Sequence, residues 1–213
     1  MKKLIVCMMA FASLASCDKL KETVNSAKES TVGAGEIDYQ FFSKPEETKK
    51  WYDEIVKRSG TGSKVMDEIS FNIFRPSKEG MIQRAGEKDY LYLTIIYQDS
   101  VDKRRVEEIQ YMGNVDGWRQ PEKKDIQISG SAAEDFKLED ELFDFSQISA
   151  ETFNKVMADA LKKYKDDTKY EYQYISSVFI KKSGFDVSVK GKLKSNSQVK
   201  SENYRTDLQG NMQ

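Results

Sequence analysis

The chain has 213 residues, with 34 Lys and Arg against 35 Asp and Glu, no His and two Cys. At a net charge of −1, with basic runs no longer than Lys103-Arg104-Arg105, it lacks the concentrated cationic face that displaces counterions from nucleic acid. The absence of His removes the usual metal ligand and general base, and with them Ser-His-Asp, Cys-His, zinc-hydrolase and haem-His chemistry.

At the N-terminus, Lys2 and Lys3 precede an apolar run, Leu4 to Phe11, that is too short to span a bilayer and leads through small residues to Leu14-Ala15-Ser16-Cys17. This order predicts a secretory signal peptide over residues 1–16. A Cys directly after Leu-Ala-Ser resembles the lipobox of bacterial lipoprotein signals. The resemblance implies that Cys17 receives a diacylglyceryl thioether, that the chain is cut before it and that the freed amine is acylated. One acyl chain gives only reversible attachment, whereas two or three hold a protein in place. The implied partner is a membrane, reached through the N-terminal lipid, and the implied location is the bacterial cell envelope. Asp18 resembles the signal that retains some enterobacterial lipoproteins in the inner membrane, but other bacterial groups do not read it so, and inner versus outer membrane stays open. An ordinary signal with a chance Cys and an uncleaved anchor helix are the other readings. Against the anchor helix, Asp18, Lys19 and Lys21 end the apolar run early. The resemblance covers this segment alone and implies an address without an activity.

Loss of residues 1–16 takes Lys2, Lys3 and Cys7 away, leaving 32 basic against 35 acidic residues. With Cys17 occupied by lipid, no thiol remains for a disulfide, so the domain is expected to be held by its core, without cofactor or metal. Residues 17–36 read as the lipidated Cys and a flexible tether, which as a coil would place the domain on the order of 25 Å from its anchor. Leu20, Val24 and Ala27 have helical spacing, but the stripe is too short for a stable isolated helix. Gly33-Ala34-Gly35 has neither a preceding strand nor a following Lys-Ser/Thr, so it is not a phosphate loop.

The next segment, 37–130, opens with Ser43-Lys44-Pro45-Glu46, which predicts a capping box ahead of a helix carrying Trp51, Tyr52, Ile55 and Val56 and ending at Ser59-Gly60. Three alternating runs follow at 64–75, 88–98 and 103–112, the last also compatible with an amphipathic helix. Residues 125–129 read as a further strand, and Glu134 to Phe145 as an acidic but structured connection. In 131–213 the pattern recurs, shifted by 105 positions. Ser149 caps a helix bearing Phe153, Val156, Met157, Ala160, Leu161 and Tyr164, and strands follow at 168–181, 185–194 and 198–208. The predicted fold class is α+β: tandem helix-plus-three-strand repeats, with helices packed on one face of an antiparallel sheet, one large sheet being preferred over two. The layout is similar in outline to tandem helix-plus-sheet envelope proteins of bacteria, among them small lipoproteins of outer-membrane assembly machines and secreted protein inhibitors.

Aromatic residues lead the candidate binding surface. Tyr170, Tyr172 and Tyr174 alternate in one strand, Tyr90 and Tyr92 share a face in another, and Trp118-Arg119 follows a tight turn; each could equally serve packing. Acidic runs at Glu107-Glu108 and Glu139 to Asp144 lack the aromatic and amide neighbours of a sugar cleft. The expectation is a lipid-anchored, non-catalytic envelope protein that binds another macromolecule, an envelope protein above all, through its sheet face or loops. A carrier or sensor with an apolar ligand between helices and sheet is the alternative, and a carboxylate-dependent wall hydrolase the third.

Overall fold

The structure is a computed structural model, and it describes residues 37–60, 62–79, 86–115, 117–126, 128, 130 and 132–213. The signal peptide, Cys17, the Gly33-Ala34-Gly35 break and the tether up to residue 36 lie outside the described residues.

A 3-10 turn, Phe41–Ser43, leads into helix α1, Pro45–Ser59. The predicted capping box does not form here. Pro45 forces the residue before it out of helical space, so Lys44 sits at φ −112° and ψ 108° and becomes the N-cap without a side-chain bond. Ser43 is thereby displaced by one position, and its hydroxyl donates to the Gln40 carbonyl at 2.6 Å. Strands β1 (Lys64–Phe74), β2 (Tyr90–Gln98) and β3 (Val106–Met112) follow, the third being a strand and not a helix. Two short strands, β4 (Gly117–Trp118) and β5 (Glu122–Lys124), both pair with β3. The strand expected at 125–129 is thus found one segment earlier, where Lys123 and Lys124 lie opposite Glu107 and Val106; Gln127 and Ser129 are outside the described residues.

Two single-turn helices, α2 (Ala132–Asp135) and α3 (Leu138–Glu141), lead to β6 (Leu142–Asp144) and then to helix α4 (Ala150–Tyr164). Ser149 caps α4 as expected, its hydroxyl accepting the Thr152 N–H at 3.0 Å. The chain ends in β7 (Tyr170–Lys181), β8 (Gly184–Leu193) and β9 (Val199–Thr206).

All strands join one antiparallel sheet in the order β4-β3-β2-β1-β7-β8-β9, with β5 also on β3 and β6 on β1. The segments 37–130 and 131–213 therefore meet edge to edge at β1 and β7. Both long helices lie on the same face. Beneath them runs a row taken from six consecutive strands, Tyr111, Leu93, Phe71, Val178, Val187 and Tyr204, all buried. Phe153 of α4 packs its ring on Phe71 and Phe42 at 5.9 and 6.4 Å, and Tyr52 of α1 meets Phe153 at 6.2 Å. The helix–sheet interior is thus filled with rings.

Glycine fixes two close approaches. Gly184 turns the β7–β8 hairpin at φ 133°, and a Cβ there would stand 1.8 Å from the Thr206 carbonyl oxygen. Gly191 faces the Tyr170 ring, which a Cβ would meet at 2.5 Å.

Candidate functional site

Because side chains alternate along a strand, every residue placed under the helices leaves a neighbour pointing to the other side of the sheet. Register links these neighbours across six strands. One row reads Met112, Tyr92, Asn72, Ser177, Ser188 and Asn203, and the next reads Gln110, Thr94, Ser70, Phe179, Asp186 and Arg205. All twelve are partly or fully exposed. At one end of this face Phe74, 45% exposed, stacks on Tyr90 with ring centroids 5.1 Å apart. At the other end α3 and the start of β6 cover the sheet, where Leu138 and Leu142 pack with Met66, Ile96 and Val106.

The open face is poor in charge. In a chain that is 32% charged, twelve surface positions would hold about four charges; here there are two, Asp186 and Arg205, and they pair at 3.2 Å. Among the described residues, no hydrogen bond within the protein engages the side chains of Ser70, Asn72, Thr94 or Ser177. Further charges stand around the margin: Glu108 pairs with Lys124 at 3.2 Å and Lys181 with Glu68 at 3.7 Å.

The tyrosines singled out in β7 have another role. Tyr174 is 1% exposed and Tyr170 is buried, while Tyr172 is half-buried. The hydroxyls of Tyr172 and Tyr174 donate to the two oxygens of the Glu79 carboxylate at 2.7 and 2.6 Å. Glu79 also accepts from Arg75 at 3.2 Å, and Arg75 donates to Asp89 at 3.1 Å. The Arg75 guanidinium, only 7% of the residue being exposed, lies 3.7 Å from the Tyr39 ring centroid and 4.6 Å from that of Tyr172. Burial works against the Arg75 charge, but Asp89 and Glu79 outweigh it and hold the guanidinium protonated. Burial first, and the Glu79 carboxylate second, raise both phenols. This knot ties the end of β1 and the start of β2 to β7. Nothing in sequence marked Arg75, Glu79 or Tyr39 for it, since the alternating tyrosines meet Glu79 more than ninety residues away.

Trp118 and Arg119 part company. Trp118 is 5% exposed, wedged between Tyr111 and Trp51 at 5.4 and 6.4 Å, with the Arg58 guanidinium 4.8 Å above its ring. Arg119 is exposed, and its backbone N–H bonds to Gln110. Of the five candidate side chains, Arg119 is therefore the one facing water freely, and the structure does not bring it together with the β7 tyrosines. Tyr90 and Tyr92 do share the open face, as their alternation predicts.

Among the described residues, no group of three or more His, Cys, Asp or Glu is placed to hold a metal ion, and no helix is long and apolar enough to cross a membrane. A cleft of about 590 Å³ opens beside the end of α1 and the β2–β3 hairpin. Its wall mixes polar side chains, Ser59, Ser63, Gln98, Lys103 and Glu139, with the Tyr97 ring, and it opens at the end of α1 and not between the helices and the sheet. The acidic pair Glu107-Glu108 has local contacts: Glu107 stands opposite Tyr97 in the β2–β3 register, and Glu108 accepts from Gln110 at 2.7 Å.

The fold is that of an α+β protein with an antiparallel sheet clad by helices on one side and open over much of the other. No family model and no curated protein sequence matches the chain. Among solved structures it is similar to a protein of Clostridium difficile 630 described as a "putative lipoprotein", at 11% identity and a TM-score of 0.35, over 74% of this chain and 91% of that one.

Proposed function

We propose that this chain is a lipid-anchored, non-catalytic protein of the bacterial envelope that binds another macromolecule through the open face of its sheet. The observation that carries the reading is that face: two adjacent six-strand rows of partly or fully exposed, mostly uncharged side chains, with the rings of Tyr92 and Phe179 in the rows and those of Phe74 and Tyr90 beside them. Charge depletion and aromatic enrichment mark the centre of protein interfaces. The anchor rests on the order Leu14-Ala15-Ser16-Cys17 behind a basic, then apolar, N-terminus.

The two helix-plus-three-strand units read as a tandem repeat. In support, the first strand of each unit lies at the sheet centre, the second and third follow outward on each side, and Ile55 and Ala160, equivalent under the 105-residue shift, are both fully buried.

The test is to purify the anchored protein from crosslinked membranes in three forms: unaltered, Thr94→Arg on the open face, and Lys57→Glu on the outer side of α1. Loss of a specific co-purifying macromolecule in Thr94→Arg alone supports the reading. Equal retention in all three forms removes the open face from the function.

A further inference from the structure

The open face invites a statement about what it binds, resting on the reading just given. We infer that the partner is a folded protein presenting an uncharged patch, held by aromatic contacts and neutral hydrogen bonds with charge confined to the rim. Three features of the face lead there.

Charge complementarity comes first. A partner carrying Lys, Arg, Asp or Glu at the centre would bury it against Asn72, Ser70, Thr94 and Ser177, none of which can neutralise it; an unpaired buried charge costs several kcal/mol. Most charges nearby are already paired within the protein, Asp186 with Arg205, Glu108 with Lys124 and Lys181 with Glu68, while Lys190, beyond Ser188 on the same face, stands at the margin without an ion pair among the described residues. The rows themselves carry no net charge to steer an ionic partner to the centre.

Size comes second. Six strands at about 4.8 Å spacing span roughly 24 Å, and the two rows, each taking about 7 Å along the strands, give an area on the order of 300 Å². A stable protein interface takes about 800 Å² per partner, so this face supplies an interface core and the ion-paired margin supplies the rim.

Third is the mixture itself. Tyr92, Tyr90, Phe74 and Phe179 are rings of low conformational entropy, interleaved with Ser, Thr and Asn whose side-chain donors and acceptors have no partner within the described protein. Rigid rings among adaptable small polar groups are the makeup of surfaces that read a protein epitope.

The experiment places a photoreactive amino acid at Asn72, at Ser177 or, as reference, at Lys57 in the full-length chain, in the membranes of the cells that make it. Adducts are digested and the partner peptide is read by mass spectrometry. The inference expects adducts from positions 72 and 177 to one protein, through a peptide without charged residues at the junction. Raising salt from about 0.1 M to about 1 M, which shortens the screening length from about 10 Å to about 3 Å, should change their yield less than about twofold. Asn72→Arg combined with the probe at 177 should lower the yield about tenfold or more. Adducts from 72 that vanish in high salt, or that carry glycan and no peptide, overturn the neutral-protein inference while leaving the face as a binding site. Adducts from 57 and none from 72 or 177, or none from any position, overturn the face itself.

Discussion

Arg75 holds two carboxylates and three aromatic rings with one planar cation. Replacing it by Ala leaves the partly buried Glu79 and Asp89 without their counter-charge, and breaking such a pair costs up to about 3–5 kcal/mol. Arg75→Ala should therefore show a lower urea midpoint with an unchanged slope. Arg75→Lys should fall between, since it keeps the charge but loses the flat contact with Tyr39 and the forked donors. A loss below about 1 kcal/mol for Arg75→Ala would mean the knot adds nothing to the fold. Tyr97 gives a second, independent test. Burial, with a hydrogen bond to Glu107, pushes its phenol up from 10.0 to about 12. Below pH 10 the phenol is neutral folded or unfolded, so it contributes no pH dependence. Between about 10 and 12 the unfolded chain ionises and the folded one resists, so stability falls as pH rises. Tyr172 and Tyr174, also raised, act in the same direction, so Tyr97→Phe should lessen this alkaline loss without abolishing it. At the acid end the ion pair with Lys123 and the N–H groups of Asp102 and Val101 hold the Asp99 carboxyl below its usual 3.8. Its contribution is present above that value and is lost as the pH drops. Chemical denaturation across a pH series with Asp99→Asn as the comparison reads this out.

At the scale of elements, the two long helices set the core. Ile55 of α1 is fully buried, and Lys57 is exposed two residues on. Ile55→Asp should cost several kcal/mol by burying a carboxyl, moderated by its protonation, and Lys57→Asp under about 1 kcal/mol. In α4, Ala160 is fully buried while Leu161 is half-buried, so Ala160→Asp should cost more than Leu161→Asp, and Lys162→Asp least. Thermal unfolding of the set orders them, and equal losses at buried and exposed positions would contradict the helix placement. In the β7–β8 hairpin, Gly184→Ala strains φ 133° and drives a methyl into the Thr206 carbonyl, so it should destabilise by about 2 kcal/mol or more. The strands were legible in sequence because each needs only period-two alternation, and β1, β2 and β8 carry it plainly. The start of α1 was less so: Ser43 has the right chemistry for a cap, but Pro45 shifts the helix start by one residue. The Trp118 environment was not legible, because Trp51 and Arg58 reach it from a helix sixty residues earlier.

For the whole molecule, the anchor and the domain make separable predictions. Cys17→Ser should give an uncleaved or soluble product that takes up no labelled fatty acid, and continued acylation at the membrane would refute the lipobox reading. Residues 37–213 contain no Cys and no His, so their unfolding should be indifferent to reductant and chelator. What the sequence alone determined is what short-range rules govern: the alternation of strands, the apolar stripe of α4 and its Ser149 cap, and the absence of imidazole chemistry from a chain without His. Tertiary structure decided which partner each alternating face meets. Tyr172 and Tyr174 look in sequence like a surface, yet they close over Glu79 and Arg75. Asn72, Thr94 and Ser177 look like filler, yet register aligns them into the open face. The physical reason is that backbone periodicity says that two faces differ, while burial depends on contacts among segments tens of residues apart, which no local pattern encodes.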